Sequence, residues 1–205
     1  MGRLSGAVCI FDLDGTLVDS APDLSASLNI MLERVGLAPM PPEETRAHVG
    51  HGARALMAFA YDRQGKTFPD GAEARALVDD FVEVYAARIA GLSRPFPGVE
   101  ESLKRLTAEG ATLTVCTNKK EVLARPLLQD LDLLKYFKMV IGAETLEERK
   151  PSPFPLLHIM QETSADRGMM IGDTATDKNA ADAAGLPSLI ATFGYGREDE
   201  ALASA

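Results

Sequence analysis

The stretch that most constrains the fold is Val8 to Ser20, VCIFDLDGTLVDS. Val8-Cys9-Ile10-Phe11 is a short apolar run of the kind buried on both faces of a parallel sheet. Two carboxylates, Asp12 and Asp14, follow at its end, and Gly15 lets the backbone turn tightly. Thr16 adds a hydroxyl and a backbone N–H before Leu17 and Val18 return to packing. Two acids at the end of a buried strand concentrate negative charge where water is partly shut out. That is unfavourable unless a cation or a proton offsets it. A calcium loop would place acids at alternate positions, with Gly sixth and Glu twelfth. Here Gly15 is fourth and Thr16 stands where a third acid would be. The plainer alternative is an acidic turn in solvent.

Beyond this stretch the pattern is helical. Ser20 is placed to cap a helix with Pro22 in its first turn, and Leu24, Leu28, Leu32 and Val35 recur at helical spacing up to Gly36. A short helix is expected over 43–48, then a flexible Gly50-His51-Gly52 corner and a helix through Leu56 and Phe59. A longer helix over 72–89 carries Leu77, Phe81, Val84, Tyr85 and Ile89 on one stripe. No strand is expected between Asp19 and Arg94. After Pro95-Phe96-Pro97-Gly98 the rhythm changes to alternating helix and strand. Strands are expected over 111–116, 137–141, 169–171 and 188–191, with helices over 99–109, 121–130, 154–161 and 176–184. This alternation predicts an α/β fold: a doubly wound parallel sheet with right-handed crossovers. The first strand joins that sheet, which makes the helical stretch an insertion. The expected organisation is a core of residues 1–18 and 95–205 and a small α-helical cap, or lid, of residues 19–94.

The polar residues share a location. Asp12, Asp14, Thr117 and Asp173 each follow the end of a predicted strand, the edge at which open parallel sheets bind ligands. Singly, Thr117 reads as a threonine ending a strand, Lys150 as a solvated lysine, and Asp173 with Asp177 as an N-cap acid with its i+4 neighbour. Together they point to one crevice. The net charge of −9 argues against a general nucleic-acid or membrane-surface binder. No run approaches a membrane span, and no secretory leader is expected from an N-terminus with one Arg and no long apolar stretch. Cys9 and Cys116 lie in apolar runs and read as buried, reduced thiols. His48 and His51 have no metal-ligand partners at suitable spacing, and His158 is expected on a core helix. The acidic stretches 147–148 and 198–200 read as solvated.

FDLDGTLVDS resembles the first motif of the haloacid dehalogenase superfamily in its phosphatase branch, since the dehalogenases lack the second aspartate. The chain matches the superfamily's four motifs in order. The resemblance implies a Rossmann-like core in which Asp12 is the nucleophile and Asp14 the general acid, with the Asp14 carbonyl also on the metal. By the same resemblance Thr117, with the Asn118 N–H, would hold a phosphate oxygen, and Lys150 would offset charge on Asp12 and the phosphoryl group. On the same resemblance Asp173 is expected to be a direct Mg²⁺ ligand and Asp177 a ligand through water. The family often has an acid four residues after the lysine, and here that place is Phe154.

Further stretches, among them VGHGARALM, VCTNK, KPSPFPLL, GDTATDKNAADAAG and TFGYG, resemble the phosphoglycolate phosphatase branch over most of the chain. That resemblance implies Mg²⁺-dependent hydrolysis of 2-phosphoglycolate in the cytoplasm, a small phosphorylated metabolite as partner, and no nucleic acid or membrane partner. A monomer and a homodimer stay equally open. Arg54, or the backbone of Gly50 to Gly52, is then the expected receiver of the substrate carboxylate. The alternatives are a phosphatase for another small sugar phosphate, a phosphomutase, or a non-catalytic phosphate-binding module.

Overall fold

The computed structural model describes residues 2–196, so the acidic stretch 198–200 lies outside the described residues. In chain order its elements are β1 (Ala7–Phe11), β2 (Val18–Asp19), α1 (Ala21–Arg34), α2 (Pro42–Arg46), α3 (Ala53–Asp62), α4 (Gly71–Ala86), β3 (Arg94–Pro95), α5 (Val99–Ala108), β4 (Thr112–Cys116), α6 (Glu121–Asp130), β5 (Met139–Ile141), α7 (Phe154–Thr163), β6 (Arg167–Gly172), α8 (Ala175–Ala184) and β7 (Ser188–Ile190). Five of the strands form one parallel sheet in the order β5-β4-β1-β6-β7. The strand that carries the two acids is therefore its centre.

Alternation along β1 explains why both faces are covered. Cys9 and Phe11 join a cluster with Leu113, Val115, Leu103 of α5 and Leu127 of α6. Val8 and Ile10 point the other way, into a cluster with Met170, Ile159 of α7 and Ala180 of α8. Ile10 and Ile159 are fully buried, and each side chain of this kind contributes about 1.5–3 kcal/mol. The small Ala180 and Ala181 let α8 pack closely on the sheet behind the last acidic loop.

Helices α1–α4 form the insertion after β2. Leu28, Met31 and Leu32 of α1, Phe81 and Tyr85 of α4, and Met57 of α3 are buried together and continuous with the first cluster. Asp23 closes the insertion on itself: its carboxylate accepts the backbone N–H of Leu92 and Ser93 and the Ser93 hydroxyl at 2.7–3.0 Å.

Two local expectations are corrected. The insertion is flanked by short strands, since β2 and β3 pair antiparallel with Val18 opposite Pro95 and Asp19 opposite Arg94. Two residues are too few to show a period, so the sequence could not signal them. Ser20 does stand at the N-cap of α1, but its hydroxyl donates to Asp14 Oδ1 instead of capping the helix. Cys9 and Cys116 are buried and unbonded, as expected, and His158 lies half-buried on α7. No described helix is long and apolar enough to cross a membrane.

Candidate active site

The parallel sheet presents its strand ends to one crevice. Asp12 and Asp14 follow β1, Thr117 follows β4, Asp173 follows β6, and Asp177 sits in the first turn of α8. Lys150 comes from the loop between β5 and α7, preceding a cis peptide bond to Pro151. All six side chains are buried.

Lys150 binds the cluster together. Its Nζ lies 3.1 Å from Asp12 Oδ1 and 2.5 Å from Asp177 Oδ1. The other Asp177 oxygen accepts the Thr174 hydroxyl and the N–H groups of Thr174 and Asp173 at 2.8–3.2 Å. Asp177 thus orients both the lysine and the loop that carries Asp173. Asp173 itself accepts the Thr16 hydroxyl at 2.9 Å and the Tyr195 N–H at 2.7 Å. Gly15 makes this approach feasible: at φ +88° it takes a left-handed turn, and a Cβ there would stand 2.2 Å from Asp173 Oδ2. Thr117 Oγ1 accepts the Lys119 N–H at 3.1 Å, which leaves its own proton free to donate. Asn118 Nδ2 donates to the Lys150 carbonyl at 3.0 Å, and its Oδ1 is buried with no partner among the described residues.

The electrostatics follow from burial. Desolvation pushes the Asp12 carboxyl up to about 8; Lys150 opposes this, while Asp177, Asp173 and Asp14 reinforce it. Desolvation likewise carries Asp173 to about 6, against the hydrogen bonds from Tyr195 and Thr16. Burial alone would lower the Lys150 ammonium, but Asp12 and Asp177 together hold it above its ordinary value. Four carboxylates (Asp12, Asp14, Asp173, Asp177) meet two ammonium groups (Lys119, Lys150), so the fully ionised site keeps two uncompensated negative charges. Oxygens of Asp12, Asp173 and Asp177 lie within 4.8 Å of one another. Hard oxygen donors, this spacing and this charge fit a divalent cation such as Mg²⁺.

Two residues not singled out from the sequence belong here. Lys119 is buried, with Nζ 2.9 Å from both Asp14 oxygens and 4.6 Å from the centroid of the Tyr85 ring. Tyr195 donates its hydroxyl to Asp19 Oδ1 and accepts the N–H groups of Ser20 and Ala21, at 2.7–3.0 Å. A lysine after a strand-end Thr-Asn carries no local signal of burial, and a tyrosine near the end of the chain has none of contact with α1.

Facing these groups is a cavity of ≈ 540 Å³ between the sheet edge and the helical insertion. Asp12, Asp14, Thr117, Asn118 and Lys119 line one side; Gly50 to Arg54 and Tyr85 line the other. Gly50 and Gly52 have φ of +97° and +91°, and a Cβ on either would meet nothing closer than 3.8 Å. Backbone conformation, more than space, calls for glycine at this corner. The Arg54 side chain is 55% exposed, pairs with Asp70 at 3.2 Å and lies over the Phe68 ring. His48 stacks on Phe59 with ring centroids 3.4 Å apart, and His51 is exposed; neither joins the acidic cluster.

Residues 9–191 match the family described as haloacid dehalogenase-like hydrolase. The chain belongs to that family. Among curated relatives, phosphoglycolate phosphatase of Caulobacter vibrioides is 44% identical over 197 residues, covering 95% of this chain and 83% of that one. The phosphoglycolate phosphatase of Agrobacterium fabrum is 42% identical over 190 residues, with coverages of 92% and 81%. A crystal structure described as a predicted phosphoglycolate phosphatase from Haemophilus somnus superposes with a TM-score of 0.88 at 31% identity, covering 96% and 90%. The five-stranded α/β fold and these relatives make the chain a phosphatase of the haloacid dehalogenase-like family.

Proposed function

We propose that this phosphatase hydrolyses 2-phosphoglycolate to glycolate and phosphate through a covalent phosphoryl intermediate on Asp12. The observation that carries the reading is Asp12 itself, a buried carboxylate at the cavity floor with Lys150 at 3.1 Å and a second acid, Asp14, two residues on. An Asp12 oxygen attacks phosphorus in line with the ester oxygen, and the bond from phosphorus to that oxygen breaks. Asp14 delivers its proton to the departing glycolate oxygen. It then takes a proton from water, whose oxygen attacks the acyl phosphate, frees phosphate and restores Asp12. The Thr117 hydroxyl and the Asn118 backbone N–H hold phosphoryl oxygens, while Lys150 offsets the charge that builds there. Asp12, Asp173 and the Asp14 carbonyl, with Asp177 through a water, would hold Mg²⁺, which would supply the positive charge that keeps Asp12 ionised and offsets the phosphate.

On this reading residues 19–94 are the cap and residues 1–18 and 95–205 the catalytic core of a cytoplasmic enzyme. The cavity between insertion and sheet edge and the paired strands at the insertion's ends support that division. Gly52 and Arg54 then form the cap side of the substrate chamber. The test is phosphate release from a panel of small phosphate esters with Mg²⁺ and with excess chelator. 2-Phosphoglycolate should lead the panel in kcat/KM, and chelation should abolish release. Release that survives chelation would remove the metal from the mechanism, and a different leading ester would replace the substrate.

A further inference from the structure

We infer that Lys119, assisted by the Tyr85 hydroxyl, is the group that receives the carboxylate of the substrate. The inference rests on the phosphoglycolate reading and names the element that makes the site selective for an anionic ester. Two observations point to it. Lys119 is a charge buried at the cavity wall, its side chain 5% exposed, where burial is tolerated only with strong partners. An ammonium carries three donors, and the two Asp14 oxygens account for two of them. The Tyr85 side chain of α4 is fully buried and lines the same cavity, and its hydroxyl lies against the Lys119 ammonium with no other polar side-chain partner among the described residues. A buried ammonium and a buried hydroxyl whose own proton is left to donate, held together also by a 4.6 Å cation–π contact, form a positively charged receiver for one more anionic oxygen.

Reach decides between this pair and the other cations of the cavity. In 2-phosphoglycolate the carboxylate carbon is only two bonds from the ester oxygen. Asp14 must come within about 2.5–3.0 Å of that ester oxygen to protonate it. Lys119 Nζ is 2.9 Å from both Asp14 oxygens, so the carboxylate is delivered beside it. Arg54 is half exposed and already paired with Asp70; Lys120 is 42% exposed beside Asp79; Arg149 is exposed. These stand at the mouth. Because Lys119 belongs to the core and Tyr85 to the insertion, a carboxylate held by both also ties the two together across the chamber.

The experiment measures kcat/KM for 2-phosphoglycolate and for ethyl phosphate, which lacks the carboxylate, and reads their ratio. Lys119→Met should lower the ratio about 10- to 150-fold, mainly through KM, as loss of a charge-assisted hydrogen bond does. Tyr85→Phe should lower it about 2- to 10-fold, and Lys119→Arg should keep more of it than Lys119→Met. Calorimetry with Mg²⁺ and the Asp12→Asn protein should show the same loss in binding of 2-phosphoglycolate when Lys119→Met is added. Equal losses on both esters, with the ratio unchanged, would mean that Lys119 only positions Asp14 and would overturn the inference. So would a ratio that collapses in Arg54→Ala and survives in Lys119→Met. Failure of the underlying reading shows itself differently: the wild type would then have no preference for 2-phosphoglycolate, which overturns both.

Discussion

Replacing Lys150 by Met separates the roles of the two positive charges at the site. Met is close to Lys in length and volume but apolar, so packing is largely kept. The lysine side chain is 1% exposed and touches Asp12 and Asp177 at 3.1 and 2.5 Å. Its loss leaves two buried carboxylates facing each other without a counter-charge, and breaking such a pair from one side costs about 3–5 kcal/mol. At about 2–4 °C per kcal/mol for a chain of this size, the metal-free variant should melt about 6–20 °C below wild type. The comparison belongs well above pH 8, because Lys150 is the charge that opposes the rise of Asp12, and without it the carboxyl keeps its proton to still higher pH and masks the loss. The cluster, however, goes from two to three uncompensated negative charges. Mg²⁺ should therefore bind the variant more tightly, by about tenfold or more, and restore much of the stability. Turnover should stay at least about 10²- to 10³-fold down, since nothing replaces the charge aimed at the phosphoryl oxygens. Thermal unfolding with chelator and with Mg²⁺, Mg²⁺ calorimetry and phosphate release test the three parts. A metal-free melting point within about 2 °C of wild type, or weaker Mg²⁺ binding in the variant, would refute this account of the cluster.

Asp12→Asn should abolish turnover and leave the fold intact by circular dichroism; activity within about tenfold of wild type would remove the nucleophile assignment. Metal binding should depend on pH. Burial raises Asp12 to about 8 and Asp173 to about 6, so in the metal-free protein each carboxyl stabilises the fold while protonated, fully so below its unfolded value near 3.8, and that stability is lost as pH rises through 6 and 8. Mg²⁺ must displace those protons, and its affinity should rise about tenfold per pH unit between pH 6 and 7; a flat profile across that range by calorimetry would contradict the assignment. Gly15→Ala should drive a Cβ into Asp173 and lower Mg²⁺ affinity about 10- to 100-fold. Gly36→Ala, at a similar φ but with nothing within 4 Å, should change it little, and equal effects would mean that backbone strain alone is responsible.

Long elements with a clear period were legible in the sequence. The alternation after Pro97 located β4, β6 and their helices to within two residues, because β4 is a continuous buried apolar run and α5 and α8 stop just before Gly110 and at Gly185. The acidic cluster was legible as well, because a parallel sheet brings strand ends together whatever the loops do. What stayed hidden depended on tertiary contact. Ser20 satisfies every local rule for a helix cap, yet Asp14 is the better acceptor in the fold. Lys119 reads as one of two adjacent loop lysines, and only the packing of α4 against the core shows that it is the buried one. Arg54 was expected at the substrate carboxylate from its place after a glycine corner; it does line the cavity, but at the exposed edge.

The ribbon of β2 and β3 has a consequence for how this protein can change over evolutionary time. The insertion leaves the core at Asp19 and returns at Arg94, and these two residues sit opposite each other in one strand pair. A segment whose ends meet imposes no span on its host, so helices can be lengthened, shuffled or exchanged between them without moving any strand of the sheet. The acids, Lys150 and Thr117 all belong to the host. Reaction chemistry and Lys119 thus stay with the sheet, and a library randomised only between positions 21 and 93 should reshape the far wall of the chamber, Tyr85 included, far more often than it yields dead scaffolds.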